Sequence, residues 1–388
     1  MTNGPSHRAT PVVLHCITGL EVGGAEWMLC RYLRALGSEA RRHRVLSLMR
    51  PGPLAREIES FGVAVDSLGL RRGAVGSGAI LRLRRSIAAA RPDILQGWMY
   101  HGNLAASVGG AIAARRAPVI WGVHHSIDDI GNEPAMTRRV IRLSALLSRR
   151  VAAIAYCARI SAEQHARLGF SGERATVLQN GVDVSEFRPR PGARDRLRAL
   201  CGFPAASFVL GHVARAHPMK DASALVRATA ALRARGVPAH AVLIGAGHPD
   251  GPARAEAVAL GVSDHVTALG ARSDVPELLS GFDVFVLCSA WGEAFSLALT
   301  EALASGVPTV ATDVGDSAEI VGADGAVVPA RDLDSLVRAI EALAALTREE
   351  RVAIGLSGRR RMTEELSLER YVERMTELHR TVLSPPPD

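Results

Sequence analysis

Two glutamates in the final third of the chain have the residue type and spacing to bind a sugar. Glu293 lies in a predicted loop, and Glu301 follows eight positions later in a predicted helix. Eight helical residues turn through about 800°, so both carboxylates can face one side. Ionised carboxylates accept hydrogen bonds from sugar and ribose hydroxyls, although Glu301 alone could be an ordinary helix-surface residue. The start of this helix also offers backbone N–H groups to an anion, at Ala294, Phe295 and Ser296.

Two cations lie in the segment GHVARAHPMKD, which follows a predicted strand and leads into a predicted helix. They are Arg215 and Lys220, and Lys220 is the only lysine among 46 basic residues. A lysine kept in a chain that otherwise uses arginine suggests that this position requires a compact ammonium group. Two cations above a helix N-terminus suit a diphosphate, whereas the plain alternative is a solvated loop.

A pair of glycines, Gly23 and Gly24, lies in ITGLEVGGAE between a predicted strand and a predicted helix. Glycines let the backbone approach a ligand closely, and the following helix N-terminus favours an anion. The alternative is an ordinary turn. The spacing is not G-x-G-x-x-G, so a dinucleotide cofactor is disfavoured.

Three histidines follow two successive predicted strands. His101 comes after residues 94–98, and His124 and His125 come after residues 119–123. A single histidine is more often structural, but three at neighbouring strand ends favour a functional role for one of them. The sequence does not decide which.

Short runs rich in valine and isoleucine alternate with helical patterns along the whole chain. Such near-continuous apolar runs predict strands buried on both faces of a parallel sheet. The predicted strands are 12–17, 44–49, 63–68, 94–98, 119–123, 151–156, 175–180, 208–214, 241–246, 265–270, 284–289, 308–312 and 326–329. The predicted helices include 24–36, 78–90, 221–235 and 296–305.

This alternation predicts an α/β fold with two doubly wound parallel-sheet domains. The boundary is placed in the loop FRPRPGARD, which gives domains 1–188 and 189–365. Residues 366–388 are expected to form a helix that crosses back to the first domain, with a frayed tail. In such sheets ligands bind at the carboxyl ends of the strands, where the candidate residues lie.

Composition excludes several classes of protein. Of the 388 residues 48% are hydrophobic, yet no run approaches the roughly 20 apolar residues of a membrane span. The first ten residues, MTNGPSHRAT, lack the layout of a signal peptide. Five scattered cysteines without a C-x-x-C pair disfavour a disulfide scaffold or a zinc ribbon. A cytoplasmic location is therefore expected, and contact with the inner face of the membrane is left open at this point.

Charge is divided unevenly. Residues 1–190 carry 26 basic and 14 acidic residues, or +12, which leaves −5 of the total of +7 for the remainder. Without a zinc finger or basic–aromatic interleaving, nucleic acid is not an expected partner. The segment 134–150, PAMTRRVIRLSALLSRR, could lie on anionic lipid or pack on the core with a solvated basic face. Its helically spaced apolar residues are Met136, Val140, Leu143 and Leu147, and its arginines are Arg138, Arg139, Arg142, Arg149 and Arg150.

Taken together, these segments resemble the retaining, nucleotide-sugar-dependent glycosyltransferases of family 4, which have the GT-B fold. The resemblance rests on two glutamates separated by seven residues and followed by GVPTVAT, on GGAE, and on R-x4-K after a strand. It covers nearly the whole chain, and its further matching segments are WMYHGNLAA (98–106), NGVDVSEF (180–187) and GARSDVPELLSGFDVFVLCS (270–289).

The resemblance implies that the first domain binds the acceptor and that the second binds the donor, across a central cleft. Arg215 and Lys220 would bind the donor diphosphate and offset the charge of the leaving group. Glu293 would hold the hydroxyls of the donor sugar, and Glu301 those of the ribose. The expected reaction is hexosyl transfer, with the departing phosphate as the base.

Further roles follow from the same resemblance. The backbone near Arg272 would read the base, and Gly23 and Gly24 would let the first domain close onto the phosphate. His101 and Asn103 are expected near the acceptor, which would be a glycan or a lipid-linked precursor of a surface polysaccharide or glycolipid. No metal or other cofactor is expected, because side-chain cations and helix N-termini would replace the metal.

Two departures from the family pattern bear on specificity. Ala294 stands where the family usually has glycine, which puts a methyl group beside the sugar, and His124 stands in WGVHHS where arginine is usual. Two alternatives remain at this point: a nucleotide-sugar epimerase of GT-B architecture, and a catalytically silent homologue. The intact set of cations and glutamates disfavours both.

Overall fold

The computed structural model describes residues 10–21, 23–71 and 78–384. The chain forms two compact units, Met1–Gln179 with Tyr371–Asp388, and Asn180–Arg370. The second unit thus begins at residue 180, whereas the second domain was predicted to begin at 189. The segment NGVDVSEF therefore groups with the second unit, and so does Arg370, which was predicted to lie in the terminal helix beyond it.

The first unit is built on a seven-stranded parallel sheet. Its order is β3-β2-β1-β4-β5-β6-β7, so the direction of winding reverses between β1 and β4. The strands are β1 (Val13–Ile17), β2 (His43–Met49), β3 (Ala64–Leu70), β4 (Ile94–Trp98), β5 (Val119–Val123), β6 (Ala153–Tyr156) and β7 (Ala175–Val177). The central strands β1 and β4 are buried along their whole length, as expected for a sheet covered on both faces.

Helices connect these strands. They are α1 (Gly24–Ala35), α2 (Leu54–Ser60), α3 (Ala79–Ala90), α4 (Met99–Ile112), α5 (Ala135–Leu147) and α6 (Arg159–Arg167), with 3-10 turns at Gly37–Arg42, Ile130–Asn132 and Ser148–Arg150. Both α3 and α5 pack against α4. The core beneath them combines small and branched side chains with two fully buried tryptophans, Trp98 and Trp121.

The second unit repeats the plan with six parallel strands in the order β10-β9-β8-β11-β12-β13. The strands are β8 (Phe208–Val213), β9 (Ala239–Ile244), β10 (Val266–Leu269), β11 (Val284–Leu287), β12 (Thr309–Thr312) and β13 (Gly325–Val328). The helices are α7 (Ala193–Cys201), α8 (Ala222–Ala234), α9 (Pro252–Ala259), α10 (Val275–Leu279), α11 (Leu297–Ala304), α12 (Ser317–Val321), α13 (Leu333–Ala345) and α14 (Arg348–Glu365), with 3-10 turns at Pro218–Lys220 and Ser263–His265.

The two parallel sheets confirm the predicted fold class. Each of the thirteen predicted strands is present, because each apolar run is long enough to cross a buried sheet and is bounded by turn residues. Among the described residues, no helix combines the length and the apolar character needed to cross a bilayer.

The last helix, α15 (Leu368–Leu383), belongs to the first unit from Tyr371 onward. It covers a buried polar network. His379 Nε2 donates to Gln96 Oε1 at 2.8 Å, and Trp98 Nε1 donates to His15 Nδ1 at 3.0 Å. An indole can only donate, so neutral His15 carries its proton on Nε2 and donates it to His43 Nδ1 at 2.8 Å.

Burial lowers the pKa of all three histidines, because a charged imidazole loses its hydration there. The pKa of His43 falls to about 4 and that of His379 to about 3, while that of His15 lies well below its ordinary value. All three are therefore neutral near pH 7, and the network holds α15 on the sheet without a buried charge.

We expect the first unit to lose stability as the pH falls below about 6.5. Each of the three histidines stays neutral in the folded chain but takes up a proton near pH 6.5 once unfolded, so the unfolded state binds more protons. The stabilisation is fully present above pH 6.5 and is lost toward pH 4 for His43, at about 1.4 kcal/mol per pH unit for each group. Calorimetric melting between about pH 8 and pH 4.5 measures the effect.

The substitution His379→Gln should weaken this pH dependence, because it removes one of the three titrating groups. The matched control is His217→Gln, which replaces an exposed histidine of the second unit and keeps all three histidines of the network. A melting temperature of the first unit that stays constant over this range would contradict the assignment.

Candidate functional site

Lys220 and Glu293 meet at the carboxyl edge of the second sheet. Lys220 ends the turn that follows β8, and Glu293 lies in the loop that follows β11, the hydrogen-bonded neighbour of β8. The winding direction reverses between these two strands, which is where open α/β sheets form a ligand-binding crevice. The Lys220 ammonium forms an ion pair with Glu293 Oε1, and the two side chains are only 18% and 8% exposed.

The pair is held by its neighbours. The hydroxyl of Ser289, which is fully buried, donates to Glu293 Oε1 at 2.6 Å. The N–H of Ala290 donates to the carbonyl of Met219 at 2.8 Å, which ties the loop after β11 to the turn after β8. An ammonium has three N–H donors, so the contact with Glu293 leaves two for the oxygens of an anion.

A third loop, which follows β12, supports the glutamate from behind. Thr312 Oγ1 donates to the carbonyl of Ser289 at 2.6 Å, and the N–H of Asp316 donates to the carbonyl of Ala294 at 3.0 Å. Gly315 lies between them with φ +67°, and a Cβ there would collide with the carbonyl oxygen of Glu293 and come within 2.7 Å of that of Ala294. The glycine is therefore required both by its backbone conformation and by space.

The helix α11 begins directly after Glu293. Ser296 caps it by accepting a hydrogen bond from the N–H of Leu299 at 3.4 Å, and Ala294 and Phe295 are buried beside it. Glu301 lies within α11 and is 8% exposed, which excludes the alternative of an ordinary surface residue. The unsatisfied N–H groups at the start of α11 give this edge a positive potential.

Two further arginines flank the crevice edge. Arg215 is exposed in the loop after β8, and Arg272 is exposed in the loop after β10. The Arg272 guanidinium binds the carboxylate of Asp274 through two hydrogen bonds of 2.6 Å. Its side chain is thus engaged by the protein, and the reading of a base by the backbone of this loop stays a prediction.

In the first unit, Gly23 precedes α1 and Gly24 begins it. A Cβ at Gly23 would collide with the carboxylate of Glu26, whereas a Cβ at Gly24 would meet nothing within 4 Å. Packing within the described part of the chain therefore does not require a glycine at position 24. Val22, which directly precedes the two glycines, lies outside the described residues.

The three candidate histidines have different surroundings. His124 stacks on the indole of Trp98 with ring centroids 5.1 Å apart. His125 donates from Nε2 to Glu133 Oε1 at 2.7 Å, an interaction that lowers the pKa of that carboxyl group. His101 is half-buried in α4, and burial lowers its pKa. An imidazole oriented by a carboxylate, such as His125, is a common arrangement for proton transfer.

Asn103 is a correction to the sequence analysis. It is 1% exposed, its Nδ2 donates to the carbonyl of Gly122 at 3.1 Å, and its Oδ1 accepts from the N–H of Gly122 at 3.2 Å. The amide thus joins α4 to β5 and does not reach an acceptor. A buried asparagine satisfies its amide with backbone groups where it can, and Gly122 provides both.

Sequence reasoning missed the residues that support the site. Ser289 and Gly315 are common residue types at strand ends, and only the folded loops reveal their contacts with Glu293. Trp98 belongs to the motif WMYHGNLAA, but the sequence gives no sign that it contacts both His15 and His124. One signal was available for Gly315: the segment Asp313-Val314-Gly315-Asp316, which follows a predicted strand, has the composition of a turn, and glycine is the residue that most readily takes a positive φ there.

Two family models and several known proteins match this chain. Residues 22–186 match the family model described as Glycosyltransferase Family 4, and residues 207–345 match the one described as Glycosyl transferases group 1. EpsF, a putative glycosyltransferase of Bacillus subtilis, is 31% identical over 78% of this chain and 79% of its own length. The chain is a member of glycosyltransferase family 4. A D-inositol 3-phosphate glycosyltransferase of Salinispora arenicola is 29% identical to this family 4 enzyme over 69% of the chain and 64% of the relative.

Solved structures show the same architecture. HepE of Anabaena in complex with UDP has a TM-score of 0.83 at 21% identity, covering 95% of this chain and 99% of HepE. A glycosyltransferase of Rickettsia africae has a TM-score of 0.81 at 16% identity, covering 97% of this chain and 100% of that one. The family 4 enzyme therefore has the GT-B fold.

We predict that Gly315→Ala weakens ligand binding by this glycosyltransferase in addition to lowering its free energy of unfolding. The matched control is Gly261→Ala, because Gly261 has φ +66° but a Cβ there would meet nothing within 4 Å. Each alanine should cost about 1 kcal/mol through its positive φ, and only Gly315→Ala should also displace the loop of Glu293. Urea unfolding and nucleoside-diphosphate titration of both variants measure the two effects. Equal affinity in the two variants would contradict the supporting role of Gly315.

Proposed function

We propose that this family 4 glycosyltransferase transfers a hexose from a nucleoside-diphosphate sugar to an acceptor hydroxyl, with retention of configuration and without a metal. The observation that carries the proposal is the contact between Lys220 and Glu293 at the reversal point of the second sheet. A crevice lined by a cation and a carboxylate matches a donor that joins a diphosphate to a polyhydroxylated ring.

Structural relatives support the class of donor. HepE, which shares the fold, has been solved with UDP and with UDP-glucose. Among the sequence relatives is a GDP-mannose-dependent phosphatidylinositol monomannoside mannosyltransferase of Mycobacterium tuberculosis, 33% identical over 48% of this chain. We infer a nucleotide sugar as donor, and a glycan or lipid-linked acceptor at the cytoplasmic face of a membrane.

The second unit would bind the donor. Lys220 and exposed Arg215 would hold the diphosphate, and Glu293 the sugar hydroxyls. Glu301 would accept hydrogen bonds from the ribose, and the loop of Arg272 would read the base through its backbone. The cations would stabilise the charge that develops on the leaving diphosphate. In other transferases a metal ion has this role.

The first unit would bind the acceptor. Gly23 and Gly24 would admit the donor phosphate, while His124 or His125, with His101 nearby, would contact the reacting hydroxyl. In the transfer, the bond between the anomeric carbon and the phosphate oxygen breaks, and its electron pair stays on that oxygen. The acceptor oxygen bonds to the anomeric carbon on the same face and gives its proton to the departing phosphate oxygen, so configuration is retained.

The test is turnover of a panel of nucleoside-diphosphate sugars in EDTA, with the anomeric configuration of the product read by NMR. We expect turnover with one sugar class and a product of the same configuration as the donor. An inverted product, or activity that EDTA abolishes and magnesium restores, would overturn the retaining or the metal-independent part. Free nucleotide with an unsaturated sugar would indicate an epimerase instead.

Two substitutions should separate the roles of the glutamates. Glu293→Gln weakens contact with the ring that changes shape in the transition state, so kcat should fall by at least about tenfold. Glu301→Gln weakens binding of the remote ribose, so the donor KM should rise by about tenfold with kcat nearly unchanged. Steady-state kinetics of both variants measure kcat and the donor KM and so distinguish the two roles. The reverse pattern would contradict the assignment.

A further inference from the structure

Arg215 and Lys220 lie on one short segment after β8, residues 214–220, which we call the cation segment. Lys220 is placed by its ion pair with Glu293. The exposed Arg215 guanidinium forms no salt bridge within the ranges 10–21, 23–71 and 78–384 that the structure describes. The position of its charge therefore depends on how the backbone of the cation segment is held.

A histidine holds the cation segment on the side of β9. His248 lies in the loop after β9 and is fully buried, and its Nε2 donates to the carbonyl of Ala214 at 2.8 Å. The backbone N–H groups of Ala214 and Ala216 also donate to carbonyls of β9 and its loop, at 3.0 and 2.8 Å. Arg215 lies between these two anchored residues.

The loop after β9 lies directly against the cation segment. Gly245 in this loop has φ +142°, and a Cβ there would be 1.9 Å from the carbonyl oxygen of Ala214. A residue with a side chain would push the two segments apart, so the contact requires glycine. The carbonyl of Ala214 is thus enclosed by Gly245 and held by His248.

A second histidine acts on the side of β11. Among the described residues, β8 pairs with β9 as far as Val213, whereas its pairing with β11 ends at Gly211. His212 is fully buried in β8, and its Nδ1 donates to the carbonyl of Val286 in β11 at 2.9 Å. A side-chain hydrogen bond therefore connects the two strands beyond their last backbone pair, directly before the cation segment begins.

The two imidazoles form one neutral cluster, with ring centroids 6.0 Å apart in an edge-to-face arrangement. Burial lowers the pKa of His212 to about 4, helped by His248 and the ammonium of Lys220, and burial also lowers the pKa of His248. A carbonyl only accepts hydrogen bonds, so the single N–H of each neutral ring is the one that donates to the backbone. The cluster thus holds the segment without a further buried charge beside Lys220.

We propose that His212 and His248 are positioning residues for the donor diphosphate. They hold the cation segment between β11 and the loop after β9, and so fix the place of Arg215 relative to the ammonium of Lys220. A loop that is ordered before binding loses less entropy when the anion binds, which increases the affinity. The inference rests on the proposed function, in which both cations bind the diphosphate.

Asparagine and glutamine distinguish the two nitrogens of an imidazole. The amide of glutamine reaches the position of Nε2, and that of asparagine reaches the position of Nδ1. His248→Gln should therefore retain the hydrogen bond to Ala214, and His248→Asn should lose it. At position 212 the order is reversed, because His212 donates from Nδ1: His212→Asn should retain the bond to Val286, and His212→Gln should lose it.

The test is calorimetric titration of the full chain with UDP, GDP and ADP in EDTA. For the diphosphate that the unmodified protein binds, His248→Asn and His212→Gln should each weaken binding by about fivefold, as expected for the loss of one hydrogen bond. The two retaining variants should bind within about twofold of the unmodified protein. Burial of an amide alone does not reverse its effect between two positions, so the crossed pattern separates positioning from general packing.

A double-mutant cycle with Arg215→Gln tests whether the effect of His248 passes through Arg215. His248→Asn should weaken binding by less than about twofold when position 215 is already glutamine, because the charge that it places has been removed. Losses that add fully in the double variant would contradict this route.

The matched control is His240, which is 5% exposed and lies in β9 at the end away from the crevice. His240→Asn and His240→Gln should both bind the diphosphate like the unmodified protein. Melting temperatures establish that each variant is folded, and the pair at position 212 decides the matter where His248→Asn unfolds the chain.

The outcomes separate the two proposals. Absence of binding by the unmodified protein would refute the proposed function, and the positioning role with it. Binding by the unmodified protein that is equal in all four variants, or equally weakened by asparagine and glutamine at both positions, would refute the positioning role alone.

Discussion

The site depends on one buried ion pair, between the lone lysine of the chain and Glu293. A largely buried charge pair is stabilised by further hydrogen bonds to its lone pairs, and an anion would satisfy the two N–H donors that the ammonium has left. Ser289, at the end of β11, donates to Glu293 Oε1 at 2.6 Å, and the chain segments after β8 and at the end of β12 are hydrogen-bonded to the backbone of this loop. Because all three loops leave the same edge of the sheet, the order of β8, β11 and β12 fixes the geometry of the pair.

The first unit also buries polar side chains, but these carry no charge. Its polar network of His15, His43 and His379 is buried and neutral, and Trp98 connects it to the edge where His124 lies. The hydrogen bond from Trp98 Nε1 to His15 fixes the orientation of the indole, and His124 stacks on the face of this ring. The orientation of His124 is thereby linked to the packing of the last helix on the sheet.

The sequence predicted the strands well because a strand buried on both faces leaves a strong local signal. It also predicted which loops carry chemistry, since parallel sheets bring strand ends together. It could not predict the support around the glutamate: the hydroxyl of Ser289 and the space at Gly315 depend on contacts between loops far apart in the chain. The prediction that Asn103 lies in the site was wrong. In the sequence, a polar residue after a strand has the same appearance whether its side chain binds a ligand or the backbone of Gly122. Helical spacing alone also could not predict how α5 is rotated about its own axis: Leu147 is half-buried in the structure, and Leu146 is exposed.

We propose that the ammonium of Lys220 binds the diphosphate of a nucleotide sugar without a metal. Calorimetric titration of nucleoside diphosphates in EDTA, on the unmodified protein and on Lys220→Met, tests it most directly. We expect binding with a preference for one base, and a loss of affinity of at least about tenfold in the variant, because a charged hydrogen bond contributes roughly 1.5 to 3 kcal/mol. Equal affinity in the two proteins, or binding that appears only when a divalent metal is added, would contradict it.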